Sequence, residues 1–313
     1  MSKYIVHKAV EFAKVKVAVR KELGAESVDD LALTHYAQRK YDGCNAIVIV
    51  TPNSAGDKVL SRTGEVVKSC DHIIKAVRQK LSKRLERGQA LAVLGEVWRP
   101  GTTQNVISGE FRRHAAAPKL QLVVFDMLTL DEFENGYSPY SFAVRFDVLF
   151  PFFRGAHPTD TVQLAATYNP GSYGKPTNLC DHLVAQGGYD GLILRSTSGE
   201  WKAGEGTDGE IIKVKAAETY DLRVVGVEEG KGKYRGTLGA LVCQGPKGHV
   251  KVSGMSDQQR DTWWDMRETN TYHPDSIVGK IIEVQCLGFT PQGSLREPRF
   301  KGVRFDKEAA DFE

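Results

Sequence analysis

The sequence predicts an α+β fold in two domains: a larger one of strands and flanking helices over residues 1–217, and a small all-β barrel over residues 218–313. Two observations predict it. Up to about residue 217, near-continuous apolar runs such as ALAVLGEVW and LQLVVFDML alternate with a segment of period 3.6, as buried strands and covering helices do. From Thr219 the texture shifts to short strands separated by glycine-rich turns (YDLRVVGVEEG, GALVCQG, GHVKVSG, GKIIEVQCLG), interrupted by one helix-like stretch, DQQRDTWWDMRET. That pattern suits a small, partly open barrel of the OB type.

The elements follow in order. From Val6 to Leu23, apolar residues recur at helical spacing with Lys14, Lys16, Arg20 and Lys21 between them, predicting a surface helix with a basic face. LALTHYAQRKYDGCNAIVIV predicts a strand running into an Asp42-Gly43 turn and another leaving it. The plain reading of that turn is a hairpin corner with Lys40 in water; the sharper one is a positioned nucleophile. SRTGEVV predicts a further short strand. Over Asp71 to Arg87, Ile73, Ile74, Val77, Leu81 and Leu85 form one stripe and the cations lie mostly off it, an amphipathic helix whose basic face is either solvated or attracts phosphate. The two apolar runs end in carboxylates, Glu96 and Asp126, and RPGTTQNVISGEFRRH between them reads as loop. Residues 131–180, with clusters such as FDVLFPFFRG, read as core under long loops. LCDHLVAQGG predicts a helix closed by Gly, followed by the strands DGLILRS and EIIKVKAA.

Composition bounds the function classes. Hydrophobic residues at 41% and charged ones at 26%, with no long polar tract, exclude extensive disorder. Lys+Arg 42 against Asp+Glu 39 permits a polyanionic partner without requiring one. The five cysteines stand singly with no C-x-x-C pair, which reads as reduced thiols. No secretory leader and no stretch of membrane-spanning length is present, so the expected location is cytoplasmic.

Charged residues that flank apolar strands mark a candidate site: Lys40, Glu96, Asp190, Lys213 and Lys215. Two carboxylates with three amines suit a nucleoside triphosphate and its metal, the carboxylates holding Mg²⁺ and the amines neutralising phosphate; a salt-bridge cluster is the alternative. Order along the chain favours the first. KYDG at 40–43, SRTG at 61–64, LGEVW at 94–98, FDML at 125–128, YDGLILR at 189–195, IIKVK at 211–215 and RFDK at 304–307 together resemble the covalent nucleotidyltransferase superfamily, and within it the small phage-type ATP-dependent DNA ligases. The resemblance covers nearly the whole chain and implies a nucleotidyltransferase domain, ATP-grasp-like with antiparallel sheets, followed by an OB-fold domain.

It also implies roles. Lys40 would attack the α-phosphate of ATP and hold AMP; the AMP would pass to the 5′-phosphate of a nick in double-stranded DNA, and Asp42 would help the 3′-hydroxyl displace it. Lys213 and Lys215 match α-phosphate contacts. Gln38 resembles the residue that reads adenine, and Phe125 the aromatic that stacks on it. Glu96 and Asp190 resemble the metal carboxylates, for Mg²⁺ with Mn²⁺ as an alternative. Arg62 matches a contact to nick phosphates. Arg304, Asp306 and Lys307 resemble the motif that orients pyrophosphate in the first step. With no further clamp recognised, a monomer would grip DNA through its two domains, with Lys231, Lys233 and Arg235 of the glycine-rich stretch GKGKYRGTLG among the backbone contacts.

Two positions depart from the family pattern. Asn45 stands where arginine is usual, offering hydrogen bonds to the nucleotide but no charge, and Asp190 stands where glutamate is usual. Two alternatives remain: an RNA-joining or RNA-capping nucleotidyltransferase with the same lysine chemistry, and a nonenzymatic nucleic-acid-binding protein whose nucleotide site has decayed.

Overall fold

The computed structural model describes residues 5–186, 189–216, 218–267, 276–286, 288–290 and 292–313, with the side chain of Asp190 outside that description. Gly187 and Gly188, expected to close a helix, and the end of the stretch DQQRDTWWDMRET also lie outside the described residues. The chain divides into two compact units, Met1–Lys215 and Ala216–Glu313.

The first unit is built on two sheets. The larger orders its six strands Val66–Val67, Lys58–Ser61, Cys44–Val50, Leu91–Trp98, Gln121–Thr129 and Val162–Leu164. All pairs are antiparallel except the last. Its strands read as continuous apolar runs because both faces are buried. Ala46, Val48 and Val50 pack with Ile73, Val77 and Leu81 on one face, while Ile47 and Ile49 pack with Leu94, Leu128 and Trp201 on the other. The smaller sheet is antiparallel, ordered Thr167–Tyr168, His35–Tyr41, Tyr189–Ser196, Ile211–Val214.

The Asp42-Gly43 corner is therefore not a hairpin. The strand entering it, His35–Tyr41, belongs to the smaller sheet, and the strand leaving it, Cys44–Val50, to the larger. A Cβ at residue 43 would overlap the Val97 carbonyl oxygen, so only glycine lets the chain cross between sheets this close to a neighbouring strand.

Three other expectations are corrected. The N-terminal segment is not one helix: His7–Lys8 pairs with Gly204–Glu205, Val10 bridges Ile212, Phe12–Lys14 is a 3-10 turn, and only Val17–Glu22 is α-helical. Its apolar spacing reflects Val6, Val10 and Val15 tucked into the unit from a strap. Gln104–Arg112, read as loop, is a helix anchored by the i, i+4 pair Ile107 and Phe111. Within 131–180, Phe142–Phe153 is a helix capped by the Ser141 hydroxyl, with Pro151 inside it. A proline near the end of an aromatic run hides such a helix from sequence rules. The segment Asp71–Arg87 is helical as expected, in two pieces, Asp71–Lys80 and Ser82–Glu86.

The second unit is one antiparallel sheet ordered Gly248–Val252, Leu238–Gly245, Glu218–Glu229, Ile281–Cys286, Arg299–Val303. Glu218–Glu229 pairs with Ile281–Cys286 along its first half and with Leu238–Cys243 along its second. A register shift at Val224–Gly226 bends the strand between these pairings. The edge strands come together at a parallel bridge, Ser253 to Arg299, with the Phe300 N–H on the Ser253 carbonyl at 2.8 Å. Leu222, Val224, Leu241, Cys243, Val252, Ile282 and Val284 fill the interior. The helix Asp257–Asp265, opened by a Ser256/Gln259 capping box, follows the third strand.

Candidate active site

Period two along the smaller sheet delivers one set of side chains. Gln38 and Lys40, Ile193 and Arg195, and Ile211 and Lys213, each pair two residues apart, all line a cavity of about 780 Å³ in the first unit. The larger sheet adds Asn45, Glu96 and Phe125, with Arg62 from the turn after Lys58–Ser61. Asn45 and Glu96 are direct cross-strand partners. Phe125 depends on a bulge: the register shifts at Leu94–Gly95, so Val124 and Met127 face one core while Phe125 and Leu128 face the other.

Lys40 sits at the end of its strand, just before the crossing between sheets. Opposite it the partner strand carries its own bulge, since Arg39 pairs with Leu192 and Tyr41 with Tyr189. Gly191 in that bulge has φ +130°, and a Cβ there would overlap the Val214 carbonyl oxygen. Two glycines thus hold backbone close on both sides of the lysine.

The charges around it are unequal in setting. Burial pushes the Glu96 carboxyl up to about 8, while the Lys40 ammonium and the Gly43 N–H pull it back. Beside it, the Asn45 Oδ1 is shielded from solvent and accepts no hydrogen bond. Lys213 Nζ lies 3.4 Å from Glu11 of the N-terminal strap, so an incoming anion would compete with that carboxylate.

Gln38 is buried and doubly fixed: its Oε1 accepts from Arg195 Nε at 2.7 Å and its Nε2 donates to Thr167 Oγ1 at 3.1 Å. One N–H of the amide remains for a ligand. The Arg195 guanidinium lies 4.6 Å from the centre of the Phe125 ring. Behind it, Asp126, fully buried, accepts two hydrogen bonds from Arg145, both 3.0 Å, and sits 3.8 Å from Arg195. The sequence reading missed this Arg145–Asp126–Arg195 network as part of the site. The available signal was a lone arginine inside an aromatic helix, FAVRFDVLF, which cannot be buried without a partner.

The cavity thus gathers Gln38, Lys40, Asn45, Arg62, Glu96, Phe125 and Lys213. Asp42 and Lys215 are exposed and outside its lining. The Asp190 side chain lies outside the described residues. In the second unit, Arg304 bonds Asp221 at 3.0 Å and Asp306 at 2.7 Å, and Lys307 lies 3.4 Å from Asp221. Lys231, Lys233 and Arg235 are exposed, with Lys233 Nζ 4.5 Å from the Tyr234 ring centre. Among the described residues, no group of three or more His, Cys, Asp or Glu could hold a metal, and no helix is long and apolar enough to cross a membrane. The five cysteines form no disulfide, and Cys44 is the least buried of them.

Comparison with known proteins agrees with this architecture. Residues 16–215 match the ATP-dependent DNA ligase domain family, and residues 229–304 match the DNA ligase OB-like domain. A DNA ligase of Natronomonas pharaonis is 25% identical over 314 residues, spanning 91% of this chain and 54% of its own length. A probable DNA ligase of Pseudarthrobacter chlorophenolicus is 29% identical over 299 residues, spanning 87% and 56%. The chain therefore spans about half the length of these relatives. Among solved structures, the ATP-dependent DNA ligase from bacteriophage T7 in complex with ATP superposes with a TM-score of 0.54 at 19% identity, covering 96% of this chain and 98% of that one. That likeness carries the fold, a nucleotidyltransferase domain followed by an OB-fold domain. With a family match over residues 16–215, the chain belongs to the ATP-dependent DNA ligases.

Proposed function

We propose that this chain is an ATP-dependent DNA ligase that seals nicks bearing a 5′-phosphate and a 3′-hydroxyl in duplex DNA, acting as a monomer through a lysyl-AMP on Lys40. The observation that carries the reading is the placement of Lys40 at the crossing between two sheets, on one cavity with Glu96, Arg62 and Lys213. In the first step the free amine of Lys40 attacks the α-phosphorus; the N–P bond forms, the bond to pyrophosphate breaks, and the amine proton is released. Lys213, on the same face, neutralises phosphate charge once it exchanges Glu11 for the nucleotide, and Lys215 assists from the strand end. The remaining amide N–H of Gln38 and the Phe125 ring receive the adenine. The nick's 5′-phosphate then takes the AMP, and Asp42 orients the 3′-hydroxyl that displaces it. Arg304 and Lys307 act on the first step, when their carboxylate partners give way to pyrophosphate.

A metal fits the donor set. The unpartnered Asn45 Oδ1 and the Glu96 carboxylate belong to direct cross-strand partners and are both hard oxygens, while a role for Asp190 rests on the family resemblance alone. Mg²⁺, or Mn²⁺, held there would neutralise phosphate oxygens.

The test is sealing of a duplex with one 5′-labelled nick in ATP and Mg²⁺, run beside the same nick in RNA. Joining of DNA alone is expected. Replacing Lys231, Lys233 and Arg235 together with Ala should weaken nick binding and reduce its salt slope by roughly two to three units, while leaving labelling of Lys40 intact. Joining of RNA in preference to DNA, or of neither, contradicts the reading.

A further inference from the structure

The helix Gln104–Arg112 turns a polar stripe toward the cavity. Gln104, Ser108 and Arg112 are spaced i, i+4, i+8 and so lie along one face. Gln104 and Arg112 both line the cavity. Between them on the same face lies Ser108, half-buried. The rest of the helix is fixed: Ile107 and Phe111 are buried, Phe111 also lining the cavity beside Gln104, and Glu110 accepts two hydrogen bonds from Arg99, at 2.9 and 2.8 Å. Arg112 forms no salt bridge among the described residues, and it lines the same cavity as Asn45, which brings no charge.

Two exposed guanidinium groups, Arg62 and Arg112, thus line the cavity from separate elements, while the amines of Lys40 and Lys213 come from the smaller sheet. We propose that Arg112 is a phosphate-binding residue, acting with Arg62 as a two-arginine clamp to which Gln104 adds a neutral donor. Planar guanidinium forks match phosphate oxygens, and exposed groups at a cavity rim meet an anion before buried ones do. The inference rests on the ligase reading and deepens it. The phosphate belongs either to ATP or to the 5′ end of a nick.

The experiment compares wild type, Arg112→Ala, Arg112→Lys and the neighbouring control Arg113→Ala in two arms. One follows formation of labelled lysyl-AMP against ATP concentration; the other follows transfer from the preformed adenylate to a 5′-phosphorylated nick. Arg112→Ala should raise the half-saturating concentration in one arm by roughly tenfold or more, as loss of a charge-assisted contact does, with partial recovery in Arg112→Lys and no change in Arg113→Ala. The affected arm identifies the source of the phosphate. Arg112→Ala equal to wild type in both arms overturns the proposal while leaving the ligase reading intact. Absence of lysyl-AMP in wild type overturns both.

Discussion

The two units each hold an arginine–carboxylate network, and the two obey different physics. In the first, Asp126 is fully buried between Arg145 and Arg195, with the arginine side chains 5% and 6% exposed. In the second, Arg304, at 27% exposure, divides its bonds between Asp221 and the open Asp306, with Lys307 also on Asp221. A buried pair is costly to break, because removing one partner strands a desolvated charge. An exposed pair is screened by water and salt and is readily exchanged. The buried network is therefore a wall, holding Arg195 against Gln38 and the Phe125 ring. In the second network Asp221 is itself buried, so only the open Arg304–Asp306 half is readily exchanged for phosphate oxygens.

The strongest way to break that contrast is Asp126→Ala. It leaves two buried guanidinium groups facing each other and should cost about 3–5 kcal/mol of stability, read as a lower urea midpoint, with loss of nucleotide binding as Gln38 and Phe125 lose their support. A stability change near zero would show that Asp126 does not hold the wall.

The same network sets a pH dependence. Burial, together with the charges of Arg195, Arg145 and Lys202, brings the His7 imidazole down to about 3 from its ordinary 6.5. Its folded-state value is below its unfolded one, so the unfolded chain takes up a proton that the folded chain refuses. The contribution is fully present above about pH 6.5 and is lost as pH falls toward 3, at up to about 1.4 kcal/mol per pH unit. Urea midpoints of wild type at pH 7 and pH 5 should differ more than those of His7→Gln. Equal differences would contradict the assignment.

At the small end, Asp306→Ala should leave the unfolding midpoint unchanged, because its partner Arg304 stays in water and keeps Asp221. Its effect should appear only as a change in the rate of lysyl-AMP formation. A shift in stability comparable to that of Asp126→Ala would erase the distinction between the networks.

The contrast also explains what was legible in the sequence. Charged residues at strand ends, such as Lys40, Glu96 and Lys213, break the apolar pattern and announce themselves. Gln38, legible only through the family resemblance, lines the same cavity as Lys40. Arg145 and Arg195 are legible only as exceptions, because a buried ion pair joins residues distant in sequence. The helix Gln104–Arg112 was hidden by its Gly109 and by flanking turn residues, although Ile107 and Phe111 carried the i, i+4 signal. The Asp42-Gly43 corner lies between two strands as the sequence predicts, but its plain reading as a hairpin corner fails because the two strands belong to different sheets. Turn chemistry is local, whereas membership of different sheets is set by pairing with Leu91–Trp98 and Tyr189–Ser196 far along the chain.

Covalent labelling decides whether Lys40 is the nucleophile. The protein, cleared of bound adenylate with pyrophosphate, is mixed with α-labelled ATP and Mg²⁺, then denatured and assayed for attached label. The account predicts acid-labile label on wild type and none on Lys40→Ala. Equal label on both proteins, or none on wild type, would contradict it.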